Sequence, residues 1–114
     1  MTPLYMLKIM AAIGTIGTGL VSLVWPKSVQ GFTGLSIPGP RGITEIRAVL
    51  GGFFVGLGLA PFILKTPTAF QMLGIAYLAV AIVRAASMVV DKSVVQSNII
   101  SLVVEIVFGI ILVL

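Results

Sequence analysis

Four stretches of about 20 apolar residues fill most of this chain, at about residues 4–24, 43–64, 69–90 and 94–114. A helix needs about 20 such residues in a row to cross the hydrocarbon core of a bilayer. Charged residues make up only 9% of the 114 residues, whereas a water-soluble domain carries roughly 25%. The sequence therefore predicts an all-α integral membrane protein, a four-helix transmembrane bundle, with a single domain over residues 1–114.

The composition also excludes several kinds of chemistry. The chain has no cysteine, no histidine and only three acidic residues. Disulfides, thiolate nucleophiles and the usual transition-metal ligands are therefore absent, and a carboxylate metal cage is not expected. We predict no metal and no cofactor. The seven basic residues form no run, so nucleic-acid binding is excluded and the bilayer headgroups are their expected partners.

The first apolar stretch differs from a cleaved secretory leader in its length and in its end. It runs for about 20 residues into Trp25-Pro26-Lys27, an aromatic and basic ending typical of the membrane interface. We therefore expect a retained spanning helix. The connection that follows could place a short helix over Ser28–Leu35 in the interface, anchored by Trp25 and Phe32. The alternative is a lid over the end of the bundle.

The second stretch carries small residues at helical spacing, a pattern that lets helix backbones approach closely in lipid. Those predicted to pack against a neighbouring helix are Ala48, Gly51, Gly52, Gly56 and Gly58. The pair Gly52 and Gly56 forms a GxxxG motif, which is common and supports tight packing rather than a specific dimer. We expect Pro61 to kink or end this helix, and Thr66 or Thr68 to cap the next one.

Four charged residues enter the predicted bundle from one side, namely Glu45, Arg47, Arg84 and Glu105. Their charges sum to zero, and an unpaired charge near the membrane centre costs about 2.5–3.5 kcal/mol. We therefore predict that they pair inside the bundle as a polar intramembrane network. The polar residues predicted to support this network are Tyr77, Ser87, Asp91, Asn98 and Ser101.

Two interpretations of this network stay open at the level of sequence. The charges could be purely structural, with buried pairs fixing helix register and Glu45 favoured near a helix N-terminus. Arg84 could also extend to the headgroups without a partner. The other interpretation is a pocket that binds or relays something. Glu105 is the hardest to explain as structure alone, because it lies about ten residues, roughly 15 Å, into the last helix.

The same residues also carry a family resemblance over nearly the whole chain. The string Glu45-x-Arg47-Ala48-x-x-Gly51-Gly52, with the later glycines and Arg84 and Glu105, resembles the bacterial membrane proteins grouped as domain of unknown function 4345. Leu50 stands where such families often have an aromatic residue. The resemblance implies four helices and these polar residues in a bacterial inner (plasma) membrane. It implies no activity.

Three classes of function remain. The first is a binding or accessory subunit, which holds a small amphipathic ligand or packs in a larger membrane complex or homo-oligomer. The second is an intramembrane enzyme, such as an isomerase with Glu45 or Glu105 as acid and base. The third is a transporter of protons or small solutes, although the chain shows no inverted repeat. We favour the first class and assign no catalytic residue, because the chain has few residues of catalytic type.

Overall fold

The computed structural model describes residues 2–114, and this part of the chain contains helices and no strands. A 3₁₀ turn, Pro26–Ser28, precedes α2. The helices are α1 (Pro3–Val24), α2 (Val29–Thr33), α3 (Pro40–Leu64), α4 (Pro67–Val90) and α5 (Gln96–Val113). All except α2 are long and apolar enough to cross a membrane. The helices of this length and composition suggest a membrane protein.

The ends of the long helices lie within three residues of those predicted, and three of the starts are prolines. α1 begins at Pro3, α3 at Pro40 and α4 at Pro67, because proline has no N–H to lose in the first turn of a helix and its φ is already helical. Thr66 caps α4 as predicted, since its side chain accepts a hydrogen bond from the backbone N–H of Ala69 at 3.3 Å.

The chain divides into two units. One unit comprises Ala12–Lys65, and the other joins the start of α1, up to Ala11, to Thr66–Leu114. The prediction of one domain over residues 1–114 stays a prediction.

Within the unit Ala12–Lys65, α1 and α3 run antiparallel and meet through glycines. A Cβ on Gly19 would lie 2.7 Å from the carbonyl oxygen of Gly51, and a Cβ on Gly58 would lie 2.8 Å from that of Ala12. Such distances leave no room for a side chain. Close approach of this kind maximises van der Waals contact between helices where water exclusion contributes nothing.

The middle of α3 departs from the expected α-helix. Residues Ile46–Phe53 are wound as a π-helix, whose hydrogen bonds join residues five apart and widen each turn. Residues spaced by four therefore no longer form one line along α3. A Cβ on Gly52 would meet only the Arg47 carbonyl oxygen, at 3.8 Å, and one on Gly56 would meet nothing within 4 Å. Ala48 is also exposed.

Two further expectations concern the ends of this unit. α3 continues for three residues beyond the buried Pro61 before it ends at Leu64, so the proline does not terminate it. The predicted short helix after α1 is present as α2, which ends where Gly34 adopts a left-handed φ of 76°. Its place in the membrane interface stays a prediction. Trp25 and Phe32 are exposed while Val29 is fully buried, as expected of a short amphipathic segment with outward aromatic anchors.

In the other unit, α4 and α5 form an antiparallel pair joined by a short turn. A Cβ on Gly74 would lie 2.8 Å from Cβ of Leu112 and 2.9 Å from the carbonyl oxygen of Gly109. Closer to the turn, the rings of Tyr77 and Phe108 pack edge to face with centroids 5.5 Å apart. This close pairing fixes which residues of α4 and α5 face each other, and it thereby positions the site described next.

Candidate functional site

The site is built around an ion pair between α4 and α5. The Nε and Nη2 groups of Arg84 donate to Oε1 and Oε2 of Glu105, each at 2.8 Å. This two-point geometry matches the planar guanidinium to the planar carboxylate, and it makes the strongest kind of charge-assisted hydrogen bond. The Glu105 side chain keeps 11% of its surface exposed and the Arg84 side chain 31%. The Glu105 side chain therefore lies deeper in the protein than the Arg84 side chain.

Asn98 completes the coordination of the guanidinium. Its Oδ1 accepts from Nη1 of Arg84 at 2.9 Å, and its Nδ2 donates to the carbonyl oxygen of Ser93 at 2.9 Å. The amide thus connects the ion pair to the turn between the helices. Asn98 and Glu105 lie seven residues apart, which places both on one face of α5. These two side chains of α5 therefore hold the Arg84 guanidinium from two sides.

A groove of about 550 Å³ opens beside this cluster. Its polar lining consists of Arg84, Ser87, Asp91, Ser93 and Asn98, and its apolar lining of Ala79, Val80, Val83 and Met88. Arg84, Ser87 and Asp91 follow each other by three and four residues, and this spacing puts them on one face of α4. The volume falls in the range of small-molecule sites, roughly 300–1,000 Å³. One wall of the groove is apolar, and the end of the groove near the turn between α4 and α5 is polar.

The Arg84 guanidinium has N–H groups that no acceptor within residues 2–114 uses. Arginine carries five N–H groups, and three are used within residues 2–114, by the two oxygens of Glu105 and by Asn98. Because the side chain is partly exposed and lines the groove, the two remaining N–H groups are available to an acceptor oxygen there. Glu105 neutralises the net charge of the pair, so the groove favours a polar acceptor over a strongly attracted anion.

The other residues of the predicted network have different surroundings. Glu45 pairs with Arg41, one turn earlier in α3, through Nη2 at 2.9 Å and Nε at 3.1 Å. Both side chains are largely exposed, at 53% and 85%. Arg47 is exposed in the π-helical part of α3. The structure therefore shows the pair Arg84 and Glu105, while a network of all four charges stays a prediction.

The supporting residues separate into two groups. Ser87, Asp91 and Asn98 line the groove. Tyr77 packs on Phe108, and Ser101 is half-buried on α5.

Sequence reasoning missed two partners of the charged groups. Arg41 was not assigned to Glu45, although their spacing by four residues is that of a helical ion pair. The carbonyl oxygen of Ser93, which orients Asn98, lies in a turn that no periodicity locates.

A comparison with protein families gives a match over nearly the whole chain. Residues 4–114 match the family described as Domain of unknown function (DUF4345). No match was found among curated proteins or among solved structures. Because the match covers nearly the whole chain, including both helices of the site, the chain belongs to the family of DUF4345 proteins.

Proposed function

We propose that this protein binds a small amphipathic molecule within the membrane, in the groove between α4 and α5. The observation that carries the proposal is the partly exposed Arg84 guanidinium at the groove, fixed in place by Glu105 and Asn98 with two N–H groups unused. A polar acceptor oxygen of the ligand accepts from those groups. Its apolar chain lies along Val80 and Val83.

The immobilisation of Arg84 favours binding. A guanidinium held by three hydrogen bonds loses little further freedom when it donates two more, so the entropy cost of binding is small. The same arrangement argues against the enzyme alternative, because both oxygens of Glu105 already accept from Arg84. A general base needs an oxygen that can reach a substrate proton.

The proposed setting is a four-helix transmembrane bundle in a bacterial inner membrane. The four helices of spanning length support it. Spanning proteins of the bacterial outer membrane are β-barrels, whereas this chain is helical over its described part. The groove then opens toward lipid, the medium that delivers an amphipathic ligand.

The test is photolabelling of the purified protein in nanodiscs with a monoacylglycerol that carries a diazirine in its acyl chain. We expect the label on peptides covering residues 79–98. Val83→Trp should reduce labelling at least about fivefold, because the indole fills the groove. Val89→Trp is the matched control, since Val89 is on the same helix, is 75% exposed and does not line the groove; it should label like the wild type.

Equal labelling of the two tryptophan variants, or labelling spread evenly over all four long helices, would refute the groove as the binding site. Circular dichroism of each variant checks that the helices are intact. A larger membrane protein that co-purifies with the chain in a fixed ratio, together with unlabelled 79–98 peptides, would instead favour the accessory-subunit prediction.

A further inference from the structure

Lys8 is a charged residue that the proposed ligand groove does not use. It lies on α1, in the same unit as α4 and α5, and only 8% of its surface is exposed. Within residues 2–114, its ammonium makes no hydrogen bond and no ion pair. No buried side-chain nitrogen in this part of the chain lacks a partner, so the Lys8 ammonium reaches the surface. An ammonium without a counter-charge is costly in a membrane protein, and a counter-charge at that surface would come from outside the chain.

No side-chain carboxylate of the chain supplies that counter-charge. The three acidic residues are Glu45, Asp91 and Glu105, and two of them are engaged, by Arg41 and by Arg84. Asp91 follows the last residue of α4. The start of α1, which carries Lys8, packs beside the opposite end of α4, where that helix begins. At 1.5 Å per residue, the length of α4 separates the two ends by roughly 35 Å.

In the proposed membrane setting, the surroundings of Lys8 correspond to one face of the bilayer. The Tyr5 ring packs edge to face on Phe70 with centroids 5.8 Å apart, so the first turns of α1 and α4 lie side by side. Lys8 is five residues beyond Pro3, where α1 starts, or about 7.5 Å along the axis. A lysine side chain spans such a depth and brings its ammonium to the headgroups.

Two helix N-termini add to the positive potential at this end. α1 and α4 are 22 and 24 residues long, and each carries a partial positive charge at its start. Thr2 and Thr66 accept from the backbone N–H groups of Tyr5 and Ala69. These caps satisfy one N–H in each first turn and introduce no negative charge. α5 ends beside the start of α4, where Gly74 packs on Leu112, and its partial negative charge offsets part of this potential. Lys8 supplies the full positive charge at this end.

We propose that Lys8, with the starts of α1 and α4, forms a binding site for the phosphate of an anionic lipid headgroup. The ammonium supplies the full charge, the two helix N-termini supply partial charges, and Tyr5 provides an exposed aromatic edge at the level of the headgroup. The site is independent of the groove beside Arg84, because it lies at the opposite end of α4 and uses none of the groove residues.

The experiment is native mass spectrometry of the detergent-purified protein titrated with phosphatidylglycerol and, separately, with phosphatidylcholine. We expect tighter binding of phosphatidylglycerol by the wild type. Lys8→Gln should weaken it about fivefold, the effect of one basic residue near an anionic surface. Lys8→Arg keeps the charge and should bind within about twofold of the wild type.

Lys92→Gln is the matched control, since Lys92 is exposed in the turn after α4, at the other end of that helix; it should leave phosphatidylglycerol binding unchanged. Circular dichroism verifies that each variant is folded. Equal binding by Lys8→Gln and the wild type, or no preference for phosphatidylglycerol over phosphatidylcholine, would overturn the proposal. Inorganic phosphate that displaces the lipid at equal concentration would assign the site to a free anion and overturn the lipid assignment.

Discussion

The two ion pairs within residues 2–114 join the same kinds of side chain at nearly the same distance, 2.8 Å between Arg84 and Glu105 and 2.9 Å between Arg41 and Glu45. They differ in their location and in their exposure. The first joins two helices and leaves its carboxylate 11% exposed, whereas the second lies within one helix and leaves its carboxylate 53% exposed. The surroundings of an ion pair, rather than its distance, therefore determine what it contributes to stability.

Removal of one partner of the buried pair should have the largest effect. In Glu105→Gln, Arg84 keeps its charge and loses its counter-charge, so we expect the free energy of unfolding to fall by roughly 3–5 kcal/mol. The measurement is reversible unfolding of the purified protein in mixed micelles by titration with sodium dodecyl sulfate. The double variant Arg84→Gln with Glu105→Gln should lose less than the sum of the single losses, because it leaves no charge unpaired. Strict additivity would show that the pair is not coupled.

Loss of the Asn98 amide should have the next largest effect. Asn98→Ala removes a hydrogen bond to a charged group and frees the carbonyl oxygen of Ser93, which together should cost about 2 kcal/mol in the same titration. Asn98→Asp is the informative companion, since it retains an acceptor oxygen for Arg84 but loses the donor to Ser93. A loss in Asn98→Asp as large as that in Asn98→Ala, in spite of the negative charge added beside Arg84, would mean that the bond to Ser93 is the main contribution of Asn98.

The glycine contact that holds α4 against α5 should come third. Gly74→Ala places a Cβ 2.8 Å from Cβ of Leu112, so the two helices must separate, at a cost of about 1–3 kcal/mol. Gly56→Ala is the control, because its Cβ would meet nothing within 4 Å and alanine favours a helix by up to about 1 kcal/mol. Equal effects of the two substitutions would show that close packing does not position the buried pair.

The exposed pair should matter least. Glu45→Gln removes an ion pair between residues four apart on one helix, which contributes about 0.3–0.5 kcal/mol, and salt screens even this. The unfolding titration at low and at high salt should therefore show a small loss that disappears as salt rises. A loss as large as that of Glu105→Gln would mean that Glu45 has a second partner, as the four-charge network predicts.

Part of the site was predictable because helical spacing alone decides it. Arg84, Ser87 and Asp91 share a face of α4 at intervals of three and four residues, and all three line the groove. Asn98 and Glu105 share a face of α5 in the same way, and both bind Arg84. The carbonyl oxygen of Ser93 could not be predicted, because a turn has no period and its backbone direction depends on how the two helices meet.

The small residues of α3 show where spacing fails. Ala48, Gly52 and Gly56 fall four residues apart in the sequence, yet the π-helical winding of Ile46–Phe53 breaks that line. The close contacts are made instead by Gly51 and Gly58 against α1. A π-helix gives no signal in hydrophobic periodicity, because it is selected by packing and by hydrogen-bond geometry rather than by composition.

Four helices could be predicted from the sequence alone, and their composition suggests a membrane protein. Four apolar stretches of spanning length, with charges at 9% of residues, favour helices because a helix satisfies its own backbone hydrogen bonds where no solvent does. Which acid meets which base depends on how the helices pack and bond, with Glu105 bound to Arg84 and Glu45 to Arg41. The physical reason is that apolar burial is proportional to area and has no direction, whereas a two-point hydrogen bond requires two planar groups at a fixed distance and angle.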